Sequence, residues 1–176
     1  MNNYPKRKSN RLKEYDYSQY GYYFITICTK GKECLFGRVV DGEMRLNEMG
    51  CIADEEIRNI PNHYDDVSVD AYVVMPNHVH LIIHITERIN PFPTKTRGIP
   101  NIIGKYKAGV TRAVGKGFIP SASPKPIKLW QVSYHDHIIR NKKVYQKIYE
   151  YIKSNPLKWE EDCHNPINFK TNIRRR

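Results

Sequence analysis

The sequence predicts an α+β domain: an antiparallel sheet in βαββαβ order, with an inserted β-hairpin and an extra C-terminal helix. Three observations predict it. Runs dense in aromatic and β-branched residues recur at 22–29, 67–74 and 79–85. Stretches with apolar residues at helical spacing separate or follow them. Asp41-Gly42, between the short runs 35–40 and 43–46, is the strongest short signal for a tight hairpin. At 176 residues the chain has the length of one domain with its own apolar core.

Residues 1–20 are polar and basic without a sustained apolar period, and are expected to form an arm that is disordered alone or ordered by contact with a partner. Residues 22–29 read as a central strand, followed by the hairpin. Asn47 is placed to cap a helix running to about Ile60, with Ile52, Ala53, Ile57 and Ile60 on one side and Pro61 as its stop. Residues 67–74 and 79–85 form a strand pair, whose tight connection through Met75-Pro76-Asn77 puts His78 at the start of the returning strand. A loop rich in Pro, Thr, Lys and Gly covers 89–100. Residues 101–115 read as a helix through Ile102, Ile103, Tyr106, Val110, Ala113 and Val114. After a second Pro/Ser-rich loop, 129–139 reads as a strand. Asn141 caps a last helix to about Ser154, before Pro156. With the hairpin set aside, this order is the ferredoxin-like plan, which hosts many functions and decides none of them. The expected division is a basic arm over 1–20, a catalytic domain over 21–160 and a basic tail over 161–176.

The charge narrows the partners. Twenty-nine Lys and Arg against 18 Asp and Glu leave a net charge of +11, which with 13 tyrosines suggests nucleic acid. An anionic membrane is the other polyanion, but no apolar run approaches the roughly 20 residues of a membrane span. The basic N-terminus lacks the apolar segment of a secretory signal. Cys28, Cys34, Cys51 and Cys163 show no disulfide framework or paired metal spacing, so a cytoplasmic protein is expected.

His78-Val79-His80 carries the most chemistry. Residues two apart in a strand face the same way, about 6–7 Å apart, so both imidazoles leave one face while Val79 enters the other. Such a pair can hold one divalent cation. Alone it is a short pattern, equally suited to two surface histidines. On the last helix, Val144, Ile148, Tyr151 and Asn155 fall in one stripe at about 100° per residue. That stripe ends in two polar groups where a structural helix would continue apolar. Near the histidines, Asn155 offers an amide oxygen to a metal and Tyr151 a phenol nucleophile about one turn, ~5 Å, away.

Three separated blocks then carry a resemblance: Met75-Pro-Asn-His78-Val-His80, Tyr134-His-Asp-His-Ile-Ile-Arg140-Asn141, and Tyr151-Ile-Lys-Ser-Asn155-Pro156. From about Tyr15 to Trp159 the chain resembles the single-tyrosine HUH transposases, in particular the REP-associated tyrosine transposase branch. The resemblance implies Mg²⁺ or Mn²⁺ held by His78, His80 and Asn155, with Tyr151 as nucleophile. Many transposases of the wider group carry Gln where Asn155 stands. It further implies single-stranded DNA hairpins as partners, transposition through a 5′-phosphotyrosine, a bacterial, nucleoid-associated location, and either a monomer or a homodimer.

Arg7, Arg11, Lys105, Lys107, Arg112 and Arg140 are the candidate phosphate contacts. His84, His135 and His137 are candidates for a general base, with His84 too far along its strand to join the metal. The rival reading is a non-catalytic RNA- or DNA-binding module of the same fold, although the glycine-rich aromatic motif of such sheets is missing.

Overall fold

The computed structural model describes residues 15–87, 98–118 and 128–168. Strand β1 (Gly21–Cys28) is central because both its faces are apolar or aromatic. Tyr23, Ile25 and Ile27 point to one side with no exposure, and Tyr22 and Phe24 to the other. A separate hairpin, β2 (Gly37–Val40) and β3 (Glu43–Leu46), follows. Its turn residues Asp41 and Gly42 have φ of 51° and 74°, the left-handed pair that a two-residue hairpin turn requires. Helix α1 (Glu48–Arg58) begins as expected, with Asn47 Oδ1 accepting from Gly50 N at 2.9 Å.

Strands β4 (Val67–Met75) and β5 (His78–Ile85) are joined by the predicted tight turn. Helix α2 (Ile99–Phe118), strand β6 (His135–Ile139) and helix α3 (Lys142–Ser154) complete the order. The sheet runs β4-β5-β1-β6, antiparallel throughout, as the ferredoxin-like plan demands.

The two faces of the sheet bury different elements. Ile57 of α1 and Ile102, Ile103, Tyr106 and Val110 of α2 pack against Tyr23, Ile25, Ile27, Val79 and Leu81. On the opposite face Val144, Ile148 and Ile152 of α3 pack against Phe24, Ala71, Ile82 and Ile139. Fully burying one such side chain contributes about 1.5–3 kcal/mol. A bulge between Val69 and Ala71 switches the parity of β4, so Val67 and Val69 join the first face while Ala71 and Val73 join the second. α3 therefore crosses the face from which even-numbered β5 residues, His78 and His80 among them, project.

Three expectations change. The strand expected over 129–139 is a ladder only from His135, with an isolated bridge between Trp130 and Thr29. Leu129, Trp130 and Tyr134 are instead drawn into the core, and Lys107 Nζ donates to the carbonyls of Gln131 and Val132. The arm read over 1–20 packs on the domain from Tyr15 onward. Tyr17 is buried, its carbonyl accepts from Ile99 N, and the Tyr15 and Tyr23 hydroxyls lie 3.3 Å apart. Residues 161–168 of the expected tail are likewise folded, with Asp162 and Asn165 buried and Asn165 Nδ2 donating to Trp159 O. Arg7 and Arg11 lie outside the described residues.

Candidate active site

The turn before β5 positions His78. Asn77 is fully buried, and its Nδ2 donates to the carbonyls of Lys32 (2.9 Å) and His164 (2.8 Å). Its Oδ1 is thereby left to accept from His78 Nδ1–H at 2.9 Å. That bond fixes the tautomer and puts the free lone pair on His78 Nε2, an arrangement typical of metal-binding histidines. His78 Nε2 is buried with no hydrogen-bond partner among the described residues.

His80 is held in the same manner from the neighbouring strand. Thr26, directly opposite it in β1, places Oγ1 2.9 Å from His80 Nδ1, which leaves Nε2 for the site. The two rings have centroids 4.5 Å apart. The pair is more enclosed than a half-exposed strand would make it: His78 is 0% and His80 2% exposed. α3 and the segment after it roof them.

α3 brings the remaining groups. Tyr151 Oη lies 3.2 Å from His80 Nε2, while the residue as a whole keeps 38% exposure. Asn155, at the C-terminal end of α3, is buried against both His78 and Tyr151, and its Oδ1 has no hydrogen-bond partner among the described residues. His78 Nε2 and Asn155 Oδ1 are thus both buried acceptors without a well-formed hydrogen bond among the described residues, with the Asn155 amide close enough to bear on the ionisation of His78 and Tyr151, and such a pair suits a cation.

Sequence reasoning missed Asp162 and His164. Asp162 Oδ1 accepts from His164 N at 2.6 Å, and its Oδ2 lies 4.0 Å from His78 Nε2. The His164 ring centroid is 4.5 Å from that of His78. The run Asp162-Cys163-His164 is itself dense in metal-ligating side chains, which was the available signal. One ligand atom from each of His78, His80 and Asp162 lies within 4.8 Å of the others, so this group can hold a metal ion. Two imidazole nitrogens with a carboxylate oxygen form a donor set suited to a divalent cation.

The electrostatics favour ligation. Burial, followed by the His80, His164 and Lys32 charges, holds His78 well below the usual imidazole range. Burial and then His164 pull His80 down to about 3. Both rings are therefore in the neutral, ligating form at pH 7. Burial and then the Asp162 charge raise the Tyr151 phenol, while its contact with Asn155 works the other way.

Of the other candidates, His84 is stacked on Tyr22, with centroids 4.0 Å apart. His135 lies on β6 opposite Thr26, the partner of His80, and within electrostatic reach of His164, and His137 lies opposite Phe24. Lys105 and Arg112 are exposed on α2, across the sheet from Tyr151, with Lys105 Nζ over the Tyr64 ring. Arg140 lies beside the N-terminal end of α3, about 16 Å from Tyr151 by helical rise. Cys28 is buried, whereas Cys34, Cys51 and Cys163 are exposed. Among the described residues no helix is long and apolar enough to cross a membrane.

No protein-family model matches the chain. An uncharacterized protein of Haemophilus influenzae is 40% identical over 170 residues, which cover 89% of this chain and 91% of that protein. The chain belongs to that protein's family. In fold, this family member is similar to a REP-associated tyrosine transposase whose structure was solved bound to a REP hairpin. The TM-score is 0.58 at 22% identity, over 84% of this chain and 74% of that one. A putative transposase from Deinococcus radiodurans is similar at a TM-score of 0.49 and 19% identity, over 81% and 95% of the two chains.

Proposed function

We propose that this protein is a tyrosine transposase that cuts and rejoins single-stranded DNA, through a 5′-phosphotyrosine on Tyr151, at hairpin sequences. The observation that carries the reading is the convergence of Tyr151 Oη on His80 Nε2, beside the buried acceptors His78 Nε2 and Asn155 Oδ1. His78, His80 and Asn155, with Asp162 alongside, would hold Mg²⁺ or Mn²⁺, whose Lewis acidity eases charge on the scissile phosphate.

The chain's own groups do the rest. Asn77 holds the His78 imidazole in the ligating tautomer, and Thr26 orients the His80 ring. Tyr151 Oη attacks phosphorus, the bond to the 3′-oxygen breaks, and that oxygen leaves as a 3′-hydroxyl after taking a proton. The phenol is raised above its ordinary pKa, so its proton departs during the attack, towards the solvent to which Tyr151 is open. The ester is retained on the protein, and reversal onto another 3′-hydroxyl rejoins strands without an external energy source.

Lys105, Arg112 and Arg140 are too far from Tyr151 to touch the scissile phosphate, and in this reading they contact the stem and flanks of a hairpin. Arg7 and Arg11 would extend the same contact. The similarity in fold to a hairpin-bound transposase supports this reading.

The deciding experiment incubates the protein with Mn²⁺ and a labelled single-stranded hairpin, then identifies any adduct by mass spectrometry. A nucleotide on Tyr151 is expected. Free 5′-phosphate ends without adduct would instead indicate a water nucleophile at the histidine pair. Binding without cleavage, independent of metal, would leave a nucleic-acid-binding module.

A further inference from the structure

A second group of ligands, sharing Asp162 with the first, lies beside the histidine pair. Cys28 ends β1 and is buried, with Sγ 3.9 Å from His164 Nδ1. One ligand atom from each of Asp162, Cys163 and His164 falls within 4.8 Å of the others. Cys163 is exposed, so the group opens to solvent on one side. His164 is set in place twice, its carbonyl accepting from Asn77 Nδ2 and its N–H donating to Asp162 Oδ1. Thiolates are poor ligands for Mg²⁺ or Mn²⁺, whereas two sulfurs and an imidazole suit tetrahedral Zn²⁺. Zn–S and Zn–N bonds of about 2.3 and 2.0 Å place sulfur and nitrogen roughly 3.5 Å apart, so a small side-chain movement closes the Cys28–His164 gap. A larger rotation must bring Cys28, which lies outside the Asp162-Cys163-His164 group but within electrostatic reach of Cys163, onto the same ion.

We propose that Cys28, Cys163 and His164, with Asp162 shared from the histidine site at the fourth position, form a neighbouring cation site selective for a thiophilic ion of the zinc class. It would tie the start of the C-terminal segment to the end of β1. Each thiol gives up its proton to solvent as the ion binds.

Co²⁺, an optical stand-in for Zn²⁺, tests this in the full chain under a phosphine reductant. One equivalent should produce a thiolate-to-cobalt charge-transfer band, which Zn²⁺ then abolishes. The band should persist in His78→Ala and disappear in Cys163→Ser, an exposed position whose folding is checked by circular dichroism. Zn²⁺ affinity, measured against a chromophoric chelator, should fall by about tenfold or more in Cys163→Ser. No band in the wild type, an unchanged band in Cys163→Ser, or loss of the band in His78→Ala would overturn the proposal. None of these readouts uses DNA, so failure here is distinguishable from failure of strand cleavage.

Discussion

The Tyr151 hydroxyl stands 3.2 Å from His80 Nε2, so a phenol from α3 and an imidazole from β5 meet across the sheet–helix interface. The contact joins residues 71 positions apart in the chain. It exists because the apolar stripe of α3 packs on Phe24, Ala71, Ile82 and Ile139, on the same sheet face from which His80 projects. In the proposed reaction the nucleophile is already beside the cation's position before substrate arrives.

Tyr151→Phe should abolish the protein–DNA adduct, read on a denaturing gel, while Tyr149→Phe leaves it. Stability should change little, because the lost hydrogen bond contributes about 0.5–1.5 kcal/mol. An adduct that survives in Tyr151→Phe would place the nucleophile elsewhere.

Asn77→Ala should weaken Mn²⁺ binding by about 10–100-fold in isothermal titration, although Asn77 is not itself a proposed ligand. Without Asn77 Oδ1 the His78 tautomer is no longer fixed, and the carbonyls of Lys32 and His164 lose their donor. A drop in unfolding free energy of about 1–3 kcal/mol should accompany it. Unchanged metal affinity would show that Asn77 only closes the turn.

Acid should destabilise the fold through the two histidines. An unfolded imidazole titrates near 6.5 and folded His80 near 3, so between those values the unfolded chain holds the extra proton. Stability from this group is complete above about pH 6.5 and is lost as pH falls toward about 3, by roughly 1.4 kcal/mol per unit. His78, shifted in the same direction, adds to the slope. Denaturant unfolding at pH 7, 5.5 and 4.5 would measure it, and a flat response would contradict neutral, buried rings.

Lys105 and Lys107 should part ways when replaced by Ala. Lys107 Nζ donates to Gln131 O and Val132 O, so its loss should destabilise the protein by about 1–2 kcal/mol. Lys105→Ala should leave stability within about 0.5 kcal/mol but reduce the salt dependence of hairpin binding by about one phosphate contact. Filter binding across a salt series separates the two.

Much of this was legible where rules are local. Asn47 and Asn141 cap the helices that their positions announced, and Asp41-Gly42 makes the predicted turn. Strand parity placed His78 and His80 together, and the helical period put Tyr151 and Asn155 on one stripe. What stayed hidden depends on contacts distant in sequence. Asp162 and His164 follow a short 3-10 turn, Pro156–Glu161, where no apolar period signals burial, yet Asn77 draws the His164 carbonyl in from 87 residues away. Residues 129–134 have strand composition, but Trp130 and Tyr134 are drawn into the core and take the chain off the ladder.

The hairpin tip touches the chain just past α3. A Cβ at Gly42 would come within 2.6 Å of Leu157 Cδ2, two residues beyond Asn155. The inserted β2–β3 ribbon thus rests on the short 3-10 turn that follows Asn155. Bulk added at its apex would be met first by the exposed Leu157 side chain, so an ornament outside the sheet is a neighbour of the segment that carries the chain away from the Tyr151 helix.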